Sequence, residues 1–266
     1  MNPATRSAGR PASRPASRLS QKQKQLLDAA KRLSEKVDAM AFSPPVTHVY
    51  NPLQYAWKSH REFLLRCQVD STRTLFLGMN PGPWGMAQTG VPFGQVDAVR
   101  DWLGIMSPVE RPANEHPKRP IEGFSCQRSE VSGERLWGLF KNRFGTPEKM
   151  FTEQFVVNYC PLVFMEESAR NRTPDKLAPL EMQRLQDACD EHLVFVIDML
   201  RPKFLVGIGA YAEKCFARVI GSMEPQIRDS FSLVRILHPS PASPAANRNW
   251  AEVVTQQLID GGVWRS

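Results

Sequence analysis

Apolar positions along this chain follow two periods. Leu26, Ala30, Leu33, Val37 and Met40 recur at helical spacing, which predicts an amphipathic helix over 21–41. Largely apolar runs too brief for helices follow at 74–78, 154–158, 203–208 and 231–237, and read as strands, the first of them buried. Helical patterns lie between and after them: near 95–104, from a Ser132 cap to about Phe144 with Leu136, Leu139 and Phe140 on its apolar face, over 179–200 and 210–220, and from Asn247 to Leu258. This alternation predicts an α/β fold, a three-layer αβα sandwich around a mainly parallel four-stranded sheet. The Pro-rich stretch 105–128, with its basic His116-Pro117-Lys118-Arg119, reads as an irregular surface loop.

A length of 266 residues suits one sizeable domain. Charge changes the picture at one end only. The formal net charge is +7, yet residues 1–24 hold six of the 34 basic side chains and none of the 27 acidic ones. The rest is nearly neutral, so polyanion binding by the body requires local patches. Residues 1–20, rich in Ser, Ala, Pro and Arg, read as a disordered basic arm, and 21–266 as a single domain. Five cysteines without a C-x-x-C pair and five histidines without metal-ligand spacing indicate neither a disulfide framework nor a metal site. No apolar stretch approaches the ~18 residues of a membrane span, and no secretory leader is apparent. The expectation is a soluble monomer without cofactor or metal, in the cytoplasm or nucleoid of a bacterium or the nucleus of a eukaryote, and not secreted.

The chemistry concentrates in two loops. Gly78-Met79-Asn80-Pro81-Gly82-Pro83 follows the strand at 74–78, and His238-Pro239-Ser240-Pro241 follows the one at 231–237. Loops after strand C-termini in an open parallel sheet line a common crevice. Asn80 and His238, 158 residues apart, can therefore face one bound group, with Asn158 at the end of a third strand.

These residues resemble the single-strand-selective monofunctional uracil-DNA glycosylases. The likeness runs through Gly78–Pro83 and Gly85-Met86-Ala87-Gln88-Thr89-Gly90-Val91-Pro92-Phe93-Gly94 to His238–Pro241, with His116–Pro120, Ser129-Glu130-Val131-Ser132-Gly133 and Asn158-x-Cys160-Pro161-Leu162 as further matches. It covers roughly residues 50–260. The resemblance implies that Asn80 positions the attacking water and that His238 stabilises the departing uracil anion. It implies that Asn158 reads the base edge and Phe93 stacks on it, while Met79, Gly82 and Met86 line the pocket. The loop Ser240, Pro241, Ala242, Ser243, Pro244, followed by Asn247 and Arg248, resembles the wedge that enters DNA; Ala242 stands where family members often carry arginine. The implied partner is uracil-containing DNA, single- or double-stranded, with 5-hydroxymethyluracil as a second base. Neither motif contains a lysine for a Schiff base, so the reaction should stop at an abasic site.

Gly207-Ile208-Gly209-Ala210-Tyr211-Ala212 fits a dinucleotide fingerprint, but the following strand lacks the acidic residue such a site requires, and a tight strand-to-helix turn explains the glycines. The alternatives are a sister glycosylase for other deaminated or mismatched bases and a non-catalytic single-stranded DNA-binding module.

Overall fold

The computed structural model describes residues 19–266. The basic arm expected over 1–20 thus lies outside the described residues but for Leu19 and Ser20. Ser20 opens the first helix with a capping box: its hydroxyl accepts from the Gln23 amide and the Gln23 side chain accepts from the Ser20 amide. In chain order the elements are α1 (Gln21–Asp38), β1 (Val46–Tyr50), α2 (Pro52–Tyr55), α3 (Trp57–Leu64), β2 (Thr74–Gly78), α4 (Met86–Thr89), α5 (Val131–Phe144), α6 (Pro147–Phe151), β3 (Gln154–Asn158), β4 (Val163–Glu166), β5 (Asn171–Arg172), α7 (Pro179–Leu200), β6 (Phe204–Ile208), α8 (Ala210–Gly221), α9 (Pro225–Arg228), β7 (Ser232–Ile236) and α10 (Trp250–Asp260).

The main sheet has the order β3-β2-β6-β7, and every pairing is parallel. All five residues of β2 and of β6 are buried, as central strands covered on both faces must be. α1, α7 and α8 pack in one series, while α5 packs against α10. The result is the three-layer α/β arrangement.

Several sequence expectations need correction. A second sheet, β1-β4-β5, is antiparallel and was not anticipated. Ser132 does not cap α5; Glu130 holds the N-cap position and Ser132 lies in the first turn. The 95–104 segment is a single π-helical turn, Ala98–Trp102. α10 begins at Trp250 rather than Asn247, because a 3-10 turn over Pro244–Asn247 and a left-handed Asn249 (φ 46°) intervene. The 105–128 segment is irregular, as expected, but His116 within it is only 1% exposed. Its amide donates to the Tyr50 hydroxyl, and its Nδ1 accepts from the Lys118 amide.

Candidate active site

Parallel order places every strand C-terminus at one edge of the sheet. The chain runs from β2 outward to β3, then returns to the other side of β2 as β6 and continues to β7. The switch point between β2 and β6 is where such sheets open a crevice. Asn158 ends β3, Asn80 follows β2, Gly209 follows β6 and His238 follows β7, so the topology alone assembles the three polar residues.

They line one cavity of about 310 Å3, together with Met79, Gly82, Phe93 and Ser240. Each polar group is held with a defined face. Asn80 donates from Nδ2 to the Leu162 carbonyl at 3.2 Å, which leaves Oδ1 as its open acceptor. The Ser240 amide donates to His238 Nδ1 at 3.1 Å, so in the neutral ring the proton resides on Nε2. Burial lowers the pKa of His238, which favours that neutral form. The backbone beneath the imidazole is pinned from both sides: Leu237 N–H donates to Gln257 Oε1 at 2.8 Å and Trp250 Nε1 donates to the Leu237 carbonyl at 2.9 Å. Asn158 points Nδ2 at the Met86 sulfur, 3.3 Å away, and its buried Oδ1 has no hydrogen-bond partner among the described residues.

Two glycines make this packing possible. A Cβ at Gly78 would overlap both Asn158 Oδ1 and the Phe93 ring, and one at Gly209 would sit 3.1 Å from His238 Cβ. Gly209 also adopts φ 87°, and a Cβ at Gly207 would press on the Glu213 backbone. The G-x-G-x-x-A stretch is therefore a tight strand-to-helix turn that seats α8 and the histidine. Phe93 has φ 53°, a conformation that costs a bulky residue about 1–3 kcal/mol. It persists because its carbonyl accepts from Trp137 Nε1 at 3.0 Å and from the Gln95 amide at 2.8 Å, while Gly133 of α5 lies directly against it. The held ring lies 6.4 Å from the His238 ring, tilted by 47°.

Not every expected residue reaches the cavity. Met86 is 2% exposed and lies behind Asn158 as a backing, not among the lining residues. Pro241, Ala242, Ser243, Pro244, Asn247 and Arg248 form the loop beyond Ser240, outside the cavity wall; all are exposed but Ser243, which is half-buried. The Asn247 side chain is used within the protein, donating to the Pro241 carbonyl and accepting from Arg135.

Other lining residues carried no site role in the sequence reading: Trp84, Glu130, Ser132, Asn171 and Thr173. Glu130 is half-buried as a residue, but its carboxyl is enclosed against Gly82 and Gly85, where a Cβ at the first would overlap it. Burial pushes this carboxyl up to about 7, against the lowering effect of the Trp84 and Gly85 amides. The match in Ser129–Gly133 was the one signal that could have flagged it. Among the described residues no group of His, Cys, Asp or Glu is arranged to hold a metal ion, and no helix is long and apolar enough to cross a membrane. All five cysteines are free and buried.

Similarity to known proteins gives the family. The uracil DNA glycosylase superfamily pattern matches residues 66–258. A Bos taurus protein named single-strand selective monofunctional uracil DNA glycosylase is 45% identical over 232 residues, 87% of this chain and 84% of its own length. Its Mus musculus namesake is 42% identical over 237 residues, 89% of this chain and 84% of its own. The crystal structure of Pedobacter heparinus SMUG2 superposes with a TM-score of 0.62 at 16% identity, covering 88% of this chain and 97% of that one, and so shares the fold. The chain therefore belongs to the uracil-DNA glycosylase superfamily and, within it, to the single-strand selective monofunctional uracil-DNA glycosylases.

Proposed function

We propose that this protein releases uracil from DNA by hydrolysing the N-glycosidic bond, and that it leaves an intact strand with an abasic site. The observation that carries the reading is the set of three complementary polar faces on one cavity: an open acceptor at Asn80, an Nε2–H donor at His238 and an unpartnered buried acceptor at Asn158.

The reaction joins water to C1′ of the sugar and breaks the C1′–N1 bond, whose electron pair leaves with the base. Asn80 Oδ1 accepts a hydrogen bond from that water and aims its lone pair. An amide is too weak a base to remove the proton, which passes to solvent; orientation suffices when the sugar carries cationic character. Negative charge develops on the departing uracil, and His238 Nε2–H donates to its O2. A preorganised donor at such a position is worth on the order of 3–4 kcal/mol.

Asn158 supplies selectivity. Its Oδ1 accepts from uracil N3–H and its Nδ2 donates to O4, whereas cytosine offers the opposite pattern. A buried amide left unpaired penalises the wrong base heavily. Phe93 gives the base a π face. Gly82 and Met79 bound the pocket with backbone, and Met86 acts by backing Asn158. A 5-hydroxymethyl substituent is the second base feature we assign to this pocket. The loop over Ser240–Arg248 contacts DNA, with single strands as the first substrate and duplex as a second, since a base inside a duplex must first leave the stack. Ala242 offers only a methyl to fill the vacated position.

The test is release of free uracil from a single-stranded oligonucleotide. His238→Leu lowers kcat by about 10²–10³ with an unchanged melting temperature. Asn80→Ala lowers kcat more than it raises KM. Wild-type release in both variants would overturn the assignment, and strand breaks formed without added alkali would overturn the monofunctional course.

A further inference from the structure

Trp84 lines the cavity with part of its surface and carries two cations on its ring. The Arg128 guanidinium lies 4.5 Å from a ring centroid and that of Arg119 4.9 Å. Neither arginine joins an ion pair among the described residues. Of the acids of the same stretch, Glu110 faces Lys58, Glu115 faces Arg111 and accepts from the Ile121 amide, and the Glu130 carboxyl is enclosed; Glu122, exposed and in no ion pair among the described residues, is the one acid left beside Cys126 and offsets part of the charge. Arg119 uses Nε on the Ala169 carbonyl at 3.2 Å, leaving its terminal nitrogens unassigned, while Arg128 is exposed.

Two like charges on one indole repel each other, and on a body this close to neutral their pairing is a local concentration of positive potential. An indole face holds a guanidinium by about 0.5–2 kcal/mol and fixes its plane. The forks are thus preorganised for planar, bidentate contact with phosphate oxygens. They also stand on a loop distinct from the 239–248 loop, so a strand whose base occupies the cavity would meet protein at two separate places.

We propose that Trp84, Arg119 and Arg128 form a shelf for the phosphodiester backbone on one flank of the target nucleotide. The assignment rests on the glycosylase reading for the identity of the strand, but binding tests it separately. The measurements are Kd for a single-stranded oligonucleotide without uracil, and KM and kcat for its uracil-containing counterpart, each across a salt series. Arg119→Ala/Arg128→Ala raises Kd and KM about tenfold, with kcat within about twofold, as removal of two charge-assisted phosphate ligands requires. The slope of log binding constant against log salt becomes shallower by about 1.4, roughly 0.7 for each phosphate that the variant no longer neutralises on a single strand. Arg128→Lys in the Arg119-intact protein keeps the wild-type slope, and Trp84→Ala weakens binding as the double variant does. Trimming nucleotides from one side of the uracil weakens wild-type binding, and the double variant is indifferent to that trimming. An unchanged Kd and slope in a double variant that melts like wild type overturns the shelf; so does equal sensitivity to trimming on either side. Failure of the wild type to release uracil would sink the parent reading while leaving the binding result to decide the shelf.

Discussion

His238 illustrates how one backbone contact selects a protonation state. The Ser240 amide occupies Nδ1 as a donor, so protonating that nitrogen would break the bond and set two hydrogens against each other. Burial acts in the same direction and lowers the pKa. The neutral ring with the proton on Nε2 is thus the resting form, the one that the proposed donation to a developing anion uses. The expected consequence is a kcat that stays level as pH falls from 8 and declines only below the ordinary histidine value of ~6.5. The check is a single-turnover pH profile of uracil release. Glu130, pushed up to about 7 in the same cavity, is the other group able to shape that limb. A limb near 7 that vanishes in Glu130→Gln would transfer the titration from His238 to the carboxyl.

Among the elements, α5 carries more of the site than its sequence suggests. Its Gly133 lies against the strained Phe93 carbonyl, its Trp137 hydrogen-bonds to it, and its Arg135 reaches the 239–247 loop. Arg135 donates from Nη1 to the Pro239 carbonyl at 2.9 Å and from Nη2 to Asn247 Oδ1 at 3.1 Å, while Asn247 Nδ2 donates to the Pro241 carbonyl at 2.9 Å. One guanidinium thus ties both ends of the 239–247 segment to α5. Arg135→Ala should lower kcat/KM about tenfold, the equivalent of one net hydrogen bond, with little change in melting temperature. Arg135→Lys should not restore it, since a single ammonium lacks the planar fork that spans both acceptors. Rescue by lysine would show that charge, and not the two-point tether, is what the loop needs.

Such ties explain what could be read beforehand. The strands of the main sheet were legible because each is a short apolar run bounded by Gly, Pro or Asn, a signal contained within its own residues. β1 and β4 were not, since each is a brief run beside prolines, Pro44-Pro45 before β1 and Pro161 before β4, and their pairing joins Val46–Tyr50 to Val163–Glu166 across more than a hundred residues. His116 was misplaced for the same reason: its neighbours are polar, and the Tyr50 hydroxyl that accepts its amide hydrogen comes from β1. That Asn80, Asn158 and His238 would share one cavity was legible because a parallel sheet sends all its strand ends to one edge. Glu130, Trp84 and Arg135 meet loops whose approach only the folded chain defines.

At the scale of the whole molecule, the site and the core pull stability in opposite directions as pH changes. His60 is 6% exposed in the core, its Nδ1 2.7 Å from the Gly90 carbonyl, and burial lowers it to about 4. A histidine lowered on folding binds its proton more weakly in the native state, so its stabilisation is present above ~6.5 and is lost as pH falls toward 4. Glu130 has the reverse sign. Raised from 4.5 to about 7, it holds its proton better when folded, and its contribution is full below 4.5 and lost as pH rises through 7. Within the overlap, roughly pH 4.5 to 6.5, the two slopes oppose each other in the wild type. Glu130→Gln keeps the side-chain shape, removes the titration and uncovers the histidine slope. Unfolding free energies from denaturant titration should coincide for the two proteins near pH 4. Across the overlap the variant should gain on the wild type by about 1.4 kcal/mol per pH unit, reaching a lead of about 3 kcal/mol at pH 8. A constant offset at every pH would mean that the carboxyl titrates alike in the folded and unfolded chain, and that its burial beside the cavity carries no net penalty for its charged form.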